Sequence, residues 1–237
     1  MFAGDLGSMV RSADKSQREA MHMRSIADVL KAPFCVVVIC ACAASLSADD
    51  WPGPVTQNVF SDNGRYFVRI IPGTDVGDTV GFAGSPNGAA ARGEFYERQT
   101  NRSYRLVGDV LLQNPIGPTD ALVTNAGYVV TFDNWHNFGY GMVVVIYAPG
   151  GRLIRALTVE DLYPRDRIAK IPLSASSRWW RCAPHGYVDP EQTTIYVSEY
   201  FGGTFTFTLR DGAFAYHPGQ AECRPPRGPF SASWFGR

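Results

Sequence analysis

The sequence predicts an all-β fold built from three repeated four-stranded antiparallel meanders, and three observations lead there. Runs of four to seven residues rich in Val, Ile, Tyr and Phe recur from Trp51 to Tyr216, with Gly, Asn, Asp and Pro between them. Helical periodicity is scarce. The runs also repeat as a set: with Gly64, Gly127 and Thr193 taken as equivalent turn positions, the units lie 63 and 66 residues apart.

The chain opens differently. Residues 1–22 are polar and precede Arg24 and Lys31, and Met23 reads as an alternative start. From Ala32 to Ala44 an apolar, small-residue stretch follows the basic residues, so 23–48 has the plan of a secretory signal cleaved near Ala48. The apolar run is shorter than the ~20 residues a spanning helix needs. Ile39-Cys40-Ala41-Cys42 also has the outline of a lipoprotein processing box, with Cys42 as the anchor in that alternative. The mature chain, 49–237, has 45% hydrophobic residues over the whole sequence to draw on, and reads as one domain with an extended tail from Arg224.

In the first unit Val59 and Phe60 lead through Ser61-Asp62-Asn63-Gly64 into a strand at 65–71. A glycine-rich loop (73–93) then precedes strands at 94–98 and 103–107, which turn at Thr100-Asn101-Arg102. The second unit runs from Leu122 through Thr124-Asn125-Ala126-Gly127 into strands at 128–132, 142–147 and 152–157. Its outer turn, Ala148-Pro149-Gly150-Gly151, combines a fixed φ with two residues that accept positive φ. In the third, Tyr187 and Val188 lead through Asp189 to Gln192 into 194–199, then 204–209 and 213–216. Gly-Asp-Val-Leu at 108–111 and Val-Glu-Asp-Leu at 159–162 each follow the last predicted strand of their unit. Helix is confined to 157–170, where Thr158 suits a cap, Glu160 and Asp161 suit a first turn, and Pro164 interrupts.

Ser-Asp-Asn-Gly-Arg-Tyr at 61–66 and Val-Val-Ile-Tyr-Ala-Pro-Gly-Gly-Arg-Leu at 144–153 resemble segments of exported bacterial β-propeller-type proteins of unassigned function. The resemblance covers most of 51–216 and implies propeller-like blades, with no catalytic residue. Propellers usually have four to eight blades. Three would leave sheet edges that long connections, or a second copy in a homodimer, must cover. A β-sandwich is the alternative.

Twenty-two basic residues balance 22 acidic ones, so no net field draws the chain to nucleic acid or to an anionic membrane. Of five cysteines, only Cys182 and Cys223 lie beyond the leader; a bridge between them would close a 41-residue loop and stabilise by about 3–4 kcal/mol in the chain-entropy model. No ligand spacing suggests a metal, and neither a phosphate loop nor a GxSxG elbow occurs, so no cofactor is expected.

The candidate site is the loop Asp133-Asn134-Trp135-His136-Asn137-Phe138-Gly139-Tyr140, which joins two strands and carries a carboxylate, amides, an imidazole, an indole and a phenol. Those groups suit stacking on a sugar or anchoring a protein. Glu199, followed by Tyr200, has the same offset from its turn as Asp133, whereas the first unit has Ile70 there. Arg178-Trp179-Trp180-Arg181 should bury one indole and leave the other nearer the surface. The expected function is an exported binding module without catalysis of its own, recognising a protein or an envelope glycan through Asp133, Asn134, Trp135, His136, Tyr140, Glu199 and Tyr200. The alternative is a secreted hydrolase using Asp133 and Glu199 as a carboxylate pair.

Overall fold

The computed structural model describes residues 53–74, 88–174, 176–182 and 186–219. The chain divides into two units between Ser47 and Ala48, and every described residue lies in the second. The segments 1–22 and 23–48, most of the glycine-rich loop and the tail with Cys223 lie outside the described residues.

The described chain is all-β, with three four-stranded antiparallel sheets. The first contains β1 (Gln57–Phe60), β2 (Tyr66–Ile71), β3 (Arg92–Arg98) and β4 (Tyr104–Leu111) in that order. The second contains β5 (Pro118–Val123), β6 (Val129–Asn134), β7 (Val144–Tyr147) and β8 (Leu153–Leu157). After two short helices the third follows with β9 (Tyr187–Val188), β10 (Thr194–Ser198), β11 (Thr204–Thr208) and β12 (Phe214–His217). Each sheet is a meander, as the repeat predicts.

One turn design opens all three sheets. The carbonyls of Ser61, Thr124 and Asp189 accept from the amides of Gly64, Gly127 and Gln192, whose φ values of 64°, 85° and 61° are left-handed. The side chains of Ser61, Thr124 and Asp189 then accept from the amides of Tyr66, Tyr128 and Thr194, at or just before the start of the next strand. Short side-chain oxygens are what such turns need. The equivalent of Gly64 and Gly127 is therefore Gln192 rather than Thr193. The second turn is one residue shorter than the other two, which displaces the match when it is counted from the turn. Counted from Tyr66, Tyr128 and Thr194, Asp133 and Glu199 do correspond, and Ile71 rather than Ile70 stands in the first sheet. The resemblance between 108–111 and 159–162 has no structural counterpart, because the former continues β4 and the latter is a helix.

The sheets pack face to face. Val68, Ile70 and Phe95 of the first meet Ala121, Val123, Val129, Val145 and Tyr147 of the second in one core. The opposite face of the second sheet, with Val130, Phe132, Val144 and Ile146, meets Ile195, Val197, Phe205 and Phe207 of the third in another. The middle sheet is covered on both faces, which is why β6 and β7 are buried at every position and read as continuous apolar runs. Among the described residues the layers number three, each a meander. Each fully buried Val or Phe in these cores contributes about 1.5–3 kcal/mol.

The end sheets each keep one face free of the cores. In the first sheet a bulge between Phe95 and Tyr96 sets Leu106 opposite Tyr96 and Gly108 opposite Phe95, so Tyr104 and Leu106 share the outer face with Asp109 and Leu111. Gly108 sits where the first two sheets approach backbone to backbone, since an added Cβ would overlap the Gly150 carbonyl oxygen. Gly108→Ala should therefore cost about 1–3 kcal/mol by overpacking, read as a lower urea midpoint with an unchanged slope.

Two single-turn helices connect the second and third sheets: α1 (Val159–Leu162) and α2 (Arg165–Ile168). Thr158 caps α1 reciprocally with Asp161, and Pro164 separates the two, as the composition of 157–170 predicts.

Candidate functional site

Asp133 is the last residue but one of β6, at φ 52°, a left-handed value that Asp tolerates better than most residues. Its amide donates to the Val143 carbonyl at 3.1 Å, and Asn134 after it still pairs with Pro118 of β5 before the loop begins. Its carboxylate points inward and is 0% exposed. Oδ1 accepts from Trp180 Nε1 at 2.7 Å and from the Gly139 amide at 2.9 Å, and Oδ2 accepts from Arg181 Nε at 2.7 Å. The Arg181 guanidinium lies over Phe132 and Phe138, 5.0 and 4.9 Å from their centroids, and its Nη1 comes 3.5 Å from Asp120 Oδ2. Burial pushes the Asp133 carboxyl up from its usual range, against the opposing pull of Arg181, Trp180 and the Gly139 amide.

The rest of the loop folds down with it. Asn134 Nδ2 donates to the Tyr140 carbonyl at 2.6 Å, while its Oδ1 accepts from Asn114 at 3.1 Å. Trp135 is buried, and its amide donates to the Gly117 carbonyl at 2.9 Å. Gly139, at φ 75°, leaves no room for a Cβ against the Arg178 carbonyl. His136 and Tyr140 remain half-buried; burial pulls the His136 imidazole down, and Arg178 lies over the Tyr140 ring at 4.8 Å. Of the tandem tryptophans Trp180 is buried, whereas Trp179 is half-buried against Phe138 with centroids 5.1 Å apart.

Glu199 follows β10 and is also 0% exposed. Each of its oxygens takes two neutral donors. Oε1 accepts from the Gly203 amide at 2.8 Å and Tyr216 OH at 3.0 Å, and Oε2 accepts from the Phe201 amide and Tyr163 OH, both at 2.9 Å. Burial, then the adjacent Glu199 charge, pushes the phenols of Tyr163 and Tyr216 up. Arg167, from α2, brings Nη2 within 3.6 Å of Oε1 and also donates to Tyr216 OH. Its guanidinium carbon is 5.9, 4.6 and 4.7 Å from the ring centroids of Tyr163, Phe201 and Tyr216. Tyr200 is half-buried, with its amide donating to the Trp180 carbonyl at 2.8 Å.

The two carboxylates thus stand at equivalent strand ends and both lean on the segment 178–182, where Arg181 pairs in its main chain with Glu199 and in its side chain with Asp133. Neither carboxylate reaches the surface in this conformation. Of the predicted set, Asp133, Asn134, Trp135 and Glu199 are buried, and His136, Tyr140 and Tyr200 retain exposed surface. Asp120, Tyr163, Arg167 and Tyr216 were not singled out from the sequence. They come from four different elements, and only the fold brings them to these carboxylates. Among the described residues no three of His, Cys, Asp and Glu gather to hold a metal ion.

A different feature is open to solvent. On the outer face of the first sheet Phe60, Phe67, Tyr96 and Leu106 form one row across β1, β2, β3 and β4. Phe67 stacks on Phe60 at 4.8 Å and on Tyr96 at 4.4 Å, and Tyr104 meets Phe67 edge-on at 4.8 Å. Phe60 is 52% exposed, Leu106 48% and Leu111 64%. Beside the row, Arg92 bridges Asp109 at 2.8 Å and Glu94 at 3.2 Å.

These sheets define an all-β repeat protein of three four-stranded antiparallel meanders. No protein-family model matches the chain, and no curated protein matches it. Among solved structures it is similar to the crystal structure of HIRA(644-1017), at 12% sequence identity and a TM-score of 0.29. The match covers 72% of this chain and 55% of that one, so the chain spans little more than half of that structure.

Proposed function

We propose that the chain is an exported interaction module without chemistry of its own, which docks a protein partner on the outer face of its first sheet. The observation that carries this is the row of Phe60, Phe67, Tyr96 and Leu106, exposed at Phe60 and Leu106 and half-buried between them, flanked by the Arg92, Glu94 and Asp109 charges. Apolar rings ringed by satisfied charges match the anatomy of a protein interface, where an aromatic centre is desolvated and a polar rim stays wet. His136, Tyr140 and Tyr200 would add contacts at the strand ends. The hydrolase reading has less support, because a glycosidic acid and base must face the sugar, and both carboxylates face the interior.

The basic residues before the apolar stretch at 32–44 support export. A Cys182–Cys223 bridge belongs to the same proposal; its support is the even pair of cysteines beyond the leader.

The test is co-purification of partners with the mature chain, compared with Phe60→Glu/Leu106→Glu and with His136→Ala/Tyr140→Ala. The face variant should fold within about 0.5 kcal/mol of the parent, because both positions are exposed, and should lose its partners at least tenfold. Loss only in the rim variant would move the site to the strand ends. Unchanged partners in both variants would end the docking proposal, and a change in the mass of the isolated chain in solution would identify the partner as a second copy.

A further inference from the structure

The Glu199 carboxylate has the environment of a cation-binding box, and the cation in it is supplied by the chain itself. Four neutral groups among the described residues donate to it, two to each oxygen, and none of these bonds involves Arg167. What Arg167 adds is charge, held 3.6 Å from Oε1 and faced by Tyr163, Phe201 and Tyr216. A cation over several aromatic faces, with a desolvated carboxylate beneath, is a recurring solution for holding guanidinium and substituted ammonium groups.

The box and its occupant are held very differently. Tyr163 and Glu199 are buried, and the Tyr216 ring packs where Gly203 has no side chain, since a Cβ there would overlap it. Tyr163 meets Phe201 edge-on at 70° with centroids 6.2 Å apart, so the walls stand as a corner. Arg167, in contrast, rides on α2, a single turn with no side-chain cap at Pro164 and no fully buried residue, held to the core only through the partly buried Ile168 and flanked by exposed Arg165, Asp166 and Ala169. Segments with few buried contacts open at low cost.

We propose that the Tyr163–Phe201–Tyr216–Glu199 box is a binding site for a guanidinium group, occupied in cis by Arg167 and vacated when α2 swings aside for an external arginine. The site deepens the interaction-module reading by naming a ligand chemistry, but it lies apart from the Phe60 face and does not depend on it. Arg167 lowers the apparent affinity by the fraction of time it fills the box, so removing it should raise affinity.

The experiment uses Arg167→Ala in the full chain, titrated with ethylguanidinium, with free argininamide and with a capped Gly-Arg-Gly peptide, and ethylammonium as comparator. Binding is read from the melting temperature and from tyrosine fluorescence. Ethylguanidinium should bind saturably, at least tenfold more tightly to Arg167→Ala than to the parent, and more tightly than ethylammonium. Whichever arginine arm binds better separates a free small molecule from a protein side chain. In the unaltered chain, the Arg167 Nε–H nuclear magnetic resonance signal should move toward its solvent-exposed position as ethylguanidinium is added, which keeps the test available if the variant does not fold. Equal response of parent and variant, no saturation in the variant, or an Arg167 signal that does not move would overturn the proposal. Phe60→Glu/Leu106→Glu should leave all these readings unchanged, so the face and the box can fail separately.

Discussion

Arg181→Ala should destabilise the protein by about 3–5 kcal/mol, the largest loss expected from any single charged residue among the described ones. Arg181 Nε holds Asp133 Oδ2 at 2.7 Å with both side chains buried, so the truncation leaves a carboxylate without its counter-charge in a place water does not reach. The loss does not mean that the pair stabilises the fold by that amount. Burial moves the Asp133 carboxyl upward in spite of Arg181, which says that desolvation outweighs the attraction. Replacing both partners together, as Asp133→Leu with Arg181→Met, should accordingly cost far less than the sum of the singles, and a double-mutant cycle by urea unfolding measures the difference. A sign follows for pH. A carboxyl whose folded value is raised contributes stability that is present below the unfolded value, about 3.9, and is lost as pH rises through the folded one. The stability of the parent relative to Asp133→Asn should therefore fall as pH rises from about 3, and a flat difference would show that the ion pair balances burial.

The same residues show why the sheets were legible in the sequence and the site was not. Strand runs such as Val144–Tyr147 announce themselves because composition and burial are one property there, and the middle sheet is covered on both faces. The opening turns repeat because a short side-chain oxygen at Ser61, Thr124 and Asp189 closes each one locally. The bulge opposite Phe95 and Tyr96 has no such local mark, and the predicted strand at 103–107 consequently stops short of Leu111. The loop from Asp133 to Tyr140 carries the residue types of a recognition surface, but side-chain type does not say which way a side chain points. The left-handed turn at Asp133 and the close approach of Gly139 to Arg178 direct the carboxylate inward. Those contacts join residues 47 and 48 positions apart, Asp133 with Trp180 and Arg181, and spacing of that kind leaves no trace in a linear reading.

Glu199→Ala should come next, at about 3–5 kcal/mol, summed from groups rather than from a single pair. The carboxylate accepts from Tyr163 OH, Tyr216 OH and the amides of Phe201 and Gly203, and each buried donor left without an acceptor costs about 1–3 kcal/mol. Tyr163 and Gly203 are buried and bear the full penalty, whereas Tyr216 and Phe201 are half-buried and can turn toward water, so the total falls below four times the single value. Glu199→Gln keeps the shape and one acceptor oxygen but presents an amide to two of the same donors, and should fall between the parent and Glu199→Ala. Tyr216→Phe removes one hydroxyl, which donates to Glu199 and accepts from Arg167, at about 1 kcal/mol because that position is half-buried. The ranking Ala, then Gln, then Tyr216→Phe, in urea midpoints, is what a structural anchor of β10 and β12 requires. If Glu199→Ala and Glu199→Gln were instead both within about 0.5 kcal/mol of the parent, the carboxylate would have to reach solvent in solution, and it would not be the fixed wall of the Tyr163–Phe201–Tyr216 box.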